Sequence, residues 1–62
     1  MKFRAIYEIL GTFEITYMVI NIDKEKLNIE NEIDCYIKAI ELAYENQTID
    51  KILSTLEIVS FV

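Results

Sequence analysis

From Lys2 to Ile22 the chain alternates with a period of two, which marks β-strands. Phe3, Ala5, Tyr7 and Ile9 alternate with Lys2, Arg4, Ile6 and Glu8; Phe13, Ile15, Tyr17 and Val19 then alternate with Thr12, Glu14, Thr16 and Met18. Gly11, the only glycine, separates the two runs and predicts a hairpin with strands at about 2–10 and 13–22. A two-residue Gly11-Thr12 loop would place Leu10 opposite Phe13 and Glu8 beside Ile15, mixing charged and apolar residues on each face. A connection of odd length pairs Ile9 with Phe13 instead and collects Phe3, Ala5, Tyr7, Ile9, Phe13, Ile15, Tyr17 and Val19 on one face. The second register is the expected one, because its single cost, Glu8 opposite Glu14, is at most about 1 kcal/mol.

The pattern then changes. Asp23 to Lys26 reads as a solvated connection, and Asn31 followed by Glu32 and Asp34 reads as an N-cap with an acidic first turn. A helix over about 31–46 follows, with Ile33, Tyr36, Ile37, Ile40, Ala43 and Tyr44 at helical spacing as the expected core stripe. Asp34, Lys38, Glu41 and Glu45 form a second, mostly acidic stripe, and Cys35 and Leu42 project away from the expected core. The weakly alternating, β-branched segment from Ile52 predicts a third strand at about 52–61, running on toward Val62.

These elements form one continuous unit with no linker or repeat. Strand, strand, helix, strand predicts a single α+β domain of ββαβ order, with a three-stranded antiparallel sheet (order 2-1-3) and one helix on one face. In the expected register the opposite face leaves Ile6, Met18, Ile20 and Ile22 in water. That is more apolar surface than a small monomer normally exposes, so these four are the expected self-association residues of a homodimer.

Length sharpens that expectation. A 62-residue chain buries only about 60% of the surface its unfolded form exposes, so its core is marginal without a supplement. One cysteine excludes an internal disulfide, and one cysteine without histidine excludes an ordinary zinc site, leaving self-association. No stretch approaches the ~20 apolar residues of a membrane span, and the N-terminus lacks signal-peptide character, so the expected location is cytoplasmic.

The same inventory narrows the chemistry. Cys35, Ser54 and Ser60 have no histidine to activate them, and Cys35 lies beside Glu32 and Asp34, which oppose thiolate formation. Carboxylate pairs such as Glu30 with Glu32 or Glu41 with Glu45 fit a solvated helix face better than a magnesium site. Tyr7, Tyr17, Tyr36 and Tyr44 all fall on expected core positions. The expectation is a non-enzymatic protein with no catalytic residue, metal or cofactor.

Eleven acidic against six basic residues, a net charge of −5, oppose direct nucleic-acid binding. Acidity along a rigid helix instead suits a protein partner with a basic groove. Twelve isoleucines among many Lys, Asn and Glu suggest AT-rich coding, as in phage or mobile elements of low-GC bacteria. Together these predict a small acidic inhibitor of a host protein, a nucleic-acid mimic directed at a nucleic-acid-processing enzyme, binding through Asp34, Glu41, Glu45, Leu42 and Cys35. The rival expectation is a structural module that forms a homo-oligomer with no inhibitory role.

Overall fold

The computed structural model describes residues 1–61, and contains β1 (Lys2–Ile9), β2 (Ile15–Asn21), a one-turn helix α1 (Lys24–Leu27), the main helix α2 (Glu32–Glu45) and β3 (Lys51–Ser60). Both β2 and β3 pair antiparallel with β1, giving the order β2-β1-β3 and the α+β class that the pattern predicts. Val62, toward which the third strand was expected to run, lies outside the described residues. The segment expected to be a solvated connection is partly helical. Asp23 caps α1 by accepting from the Glu25 and Lys26 amides at 3.1 and 3.2 Å, and Asn28, at φ 54°, ends it in the left-handed region.

The hairpin adopts the register rejected on hydrophobic pattern: Glu8 faces Ile15, Ala5 faces Met18 and Phe3 faces Ile20. Ile9 and Glu14 close a four-residue loop through an amide-to-carbonyl bond of 3.0 Å, and the Thr12 amide donates to the Ile9 carbonyl at 3.3 Å. Gly11, third in that turn, has φ 83°, a value that favours glycine. The consequence is a one-residue slip of β2. Ile20 and Ile22 are buried and Met18 packs against them, whereas Phe13, Ile15, Tyr17 and Val19 are exposed. Of the four residues expected in water, only Ile6 lies on the open face. The physical reason lies in β2 itself, whose two faces, Ile15/Tyr17/Val19 and Met18/Ile20/Ile22, are both apolar, so alternation does not specify its register.

Helix α2 is also rotated relative to expectation. Cys35, Ala39 and Ala43 are fully buried against the sheet, and Leu42 packs at their margin, while Ile33, Tyr36, Ile37 and Tyr44 are exposed. The sheet supplies the bulk through Phe3, Tyr7, Ile20 and Ile22, so the helix must offer small side chains to pack closely. Of the four tyrosines expected in the core, only Tyr7 is buried; Tyr36 stays near it through a tilted ring contact with Phe3, centroids 6.0 Å apart.

Strand β3 explains its own weak alternation. Leu53 faces Tyr7, Leu56 faces Ala5 and Ile58 faces Phe3, with register shifts opposite Ile6/Tyr7 and Lys2/Phe3. A bulge between Leu53 and Thr55 turns two leucines three apart onto the same face, as an unbulged strand cannot.

Candidate protein-interaction surface

Asn31 begins α2 by accepting from the Asp34 amide at 2.9 Å, while its own side-chain amide donates to the Asp34 carboxylate at 3.0 Å. With the buried positions defined, the ~100° step per residue divides the outward surface into two lengthwise flanks. Asp34, Lys38, Glu41 and Glu45 lie on the flank toward β2. A groove of about 430 Å³ there is lined by Met18, Val19, Ile20, Asn21, Leu42, Glu45 and Asn46. Ile33, Tyr36, Ile40 and Tyr44 lie on the flank toward β3, where a groove of about 280 Å³ joins Ile33 and Tyr36 to Met1, Glu32, Ile58 and Phe61, while Ile37 sits at the outward crest, lining a groove with Leu27, Ile29, Asp34, Lys38 and Glu41.

The expected partner-binding residues therefore separate into two groups. Asp34, Glu41 and Glu45 are exposed on one side, with Lys38 paired to Glu41 at 3.5 Å. Cys35 is fully buried and Leu42 half-buried, so neither offers the exposed surface expected of it. What hydrophobicity alone misses is the apolar flank, where Ile33 is 73% and Tyr44 56% exposed. The signal that identifies it is the small-residue series Cys35, Ala39, Ala43 at four-residue spacing, which marks the side of closest approach.

The open face of the sheet is partly polar. Arg4 forms an ion pair with Glu57 at 3.1 Å and lies 5.9 Å from the centre of the Tyr17 ring. Around this contact Ile15, Tyr17 and Val19 are 70%, 65% and 48% exposed. The chain's total accessible surface is 4593 Å², about a tenth above the ~4,200 Å² usual for a monomer of this mass.

Among the described residues no group of three or more His, Cys, Asp or Glu side chains is placed to hold a metal ion, and no helix is long and apolar enough to cross a membrane. The chain matches no family model, and neither a curated protein nor a solved structure is significantly similar to it.

Proposed function

We propose that this chain is a non-enzymatic protein-binding module whose recognition element is the outward surface of α2. One observation carries the reading: the helix meets the sheet through Cys35, Ala39 and Ala43, leaving Ile33, Ile37 and Tyr44 outward beside a row of carboxylates. An apolar flank next to an acidic one is complementary to a protein cleft with an apolar floor and a basic rim. The apolar residues would supply the lasting contact, and Asp34, Glu41 and Glu45 the steering. A nucleic-acid-processing enzyme, whose channel is basic because it holds phosphates, is the partner class that fits, and occupying that channel would inhibit it. The carboxylates alone are too few for mimicry by charge, since Lys38 neutralises part of the row; the apolar flank makes the difference.

Capture from a lysate of the source organism, followed by binding measurements with the recovered partner, tests this. The Ile33→Ser/Ile37→Ser variant should bind at least tenfold more weakly at low and high salt alike. Glu41→Lys/Glu45→Lys should slow association chiefly at low salt, because exposed charges act over about 8 Å at physiological ionic strength. A partner that holds both variants as tightly as the parent chain would overturn the proposal.

A further inference from the structure

We propose that a second copy of this chain docks on the free edge of β2, pairing β2 with β2 antiparallel about a twofold axis at Met18 to make one six-stranded sheet. The inference is tested apart from the helix-mediated reading, since the paired residues lie on β2 and only Glu45 of the acidic flank lines the groove beside them.

The ladder between β1 and β2 shows which backbone groups are free. Met1 and Ile22 exchange two hydrogen bonds of 2.8 Å, and the Ile9 amide donates to Glu14, so the even-numbered positions of β2 bond to β1. Antiparallel alternation then turns the amides and carbonyls of Ile15, Tyr17, Val19 and Asn21 toward the edge, an unbroken row. With Met18 on the axis, Ile15 pairs with Asn21 of the other copy and Tyr17 with Val19. All of Ile15–Asn21 is used, and about eight inter-chain bonds form.

The two edges of the sheet differ in how they are protected. Edge strands normally carry charge, proline or bulges that discourage pairing. β3 has two register shifts, carries Lys51 and Glu57, and has its Leu53 amide occupied by the Gln47 side chain at 2.8 Å. β2 has none of these: Ile15–Asn21 holds no charge in a chain of net −5, no proline, and no register shift against β1. A copy of itself is therefore the partner that meets no unlike group or buried charge along this strand. Pairing about seven residues and closing the Met18–Leu42 groove buries on the order of 500 Å² per copy, which reaches the lower limit of specific interfaces. The association expected is accordingly of micromolar strength.

Charge gives the assembly a distinctive response. The twofold places the acidic flanks of both α2 helices on the same side of the new sheet, over β1 strands about 14 Å apart. Salt screens that repulsion, so raising ionic strength should tighten self-pairing severalfold, opposite to its effect on a basic partner.

Sedimentation equilibrium of the full chain between 1 and 200 µM should show a shift from one to two chain masses, with Val19→Lys weakening the association at least tenfold. A Cys35→Ala/Met18→Cys variant should form a disulfide-linked dimer under mild oxidation, since residues directly opposite at this type of position lie within disulfide reach. A Cys35→Ala/Ser54→Cys variant, with its thiol on β3, should not. Should Val19→Lys fail to fold, the cross-linking pair still decides. A monomer throughout the concentration range, a dimer indifferent to Val19→Lys, or cross-linking at Ser54 but not Met18 would each overturn the proposal.

Discussion

The Tyr7 hydroxyl, on the central strand, donates a buried 2.7 Å hydrogen bond to the Ala43 carbonyl in the last turn of α2. The Gln47 amide, four residues on, bonds to Tyr44 instead at 3.1 Å, so the Ala43 carbonyl accepts from Tyr7 and, at 3.3 Å, from the Asn46 amide that caps the helix. The bond is possible only because Ala39 and Ala43 let the helix lie close to the sheet. Tyr7→Phe should therefore lower stability by about 1–2 kcal/mol with an unchanged urea m-value. An undiminished midpoint would show that the contact contributes nothing.

Close approach also governs the thiol. Cys35 is fully buried, so it should react with a thiol reagent in the native protein only as fast as the chain opens, and at once in denaturant. Cys35→Ser should cost about 1–3 kcal/mol by burying a more polar hydroxyl among the apolar side chains of the core. Rapid native-state labelling would contradict the burial.

Ile20 and Tyr17 are three residues apart and should respond oppositely to charge. Ile20 is 6% exposed and Tyr17 65%, so Ile20→Lys should abolish the circular-dichroism signature of the fold, whereas Tyr17→Lys should preserve it. A buried lysine without a partner costs several kcal/mol, comparable with the whole ~3–5 kcal/mol expected of a core this small. The reverse outcome would restore the alternative hairpin register.

At Gly11 the cost of substitution should be purely conformational. A Cβ there meets nothing within 4 Å, yet φ is 83°. Gly11→Ala should destabilise by about 1 kcal/mol and Gly11→Asn by less, as read from thermal unfolding. Equal midpoints for all three would mean that the turn relaxes.

Apart from the one-turn helix α1, the elements themselves were legible in the sequence because their signals are local. Alternation through β1, the Asn31 cap with Glu32 and Asp34, and the β-branched third segment each depend on neighbours a few residues apart, and with them came the sheet order. Acidity along Asp34, Glu41 and Glu45 was equally local. What tertiary structure alone decided was which way two doubly apolar elements turn. β2 can bury Ile15, Tyr17 and Val19 or Met18, Ile20 and Ile22, and α2 can present its isoleucines or its small residues; hydrophobicity ranks the first choice higher in both cases. Packing reversed both. Phe3 and Tyr7 fill the space between the layers, so the helix contributes Cys35, Ala39 and Ala43, while the hairpin loop sets β2 so that Ile20 and Ile22 lie beneath it. Shape complementarity across the layers is a property of pairs of residues far apart in the chain, and no window of the sequence contains it.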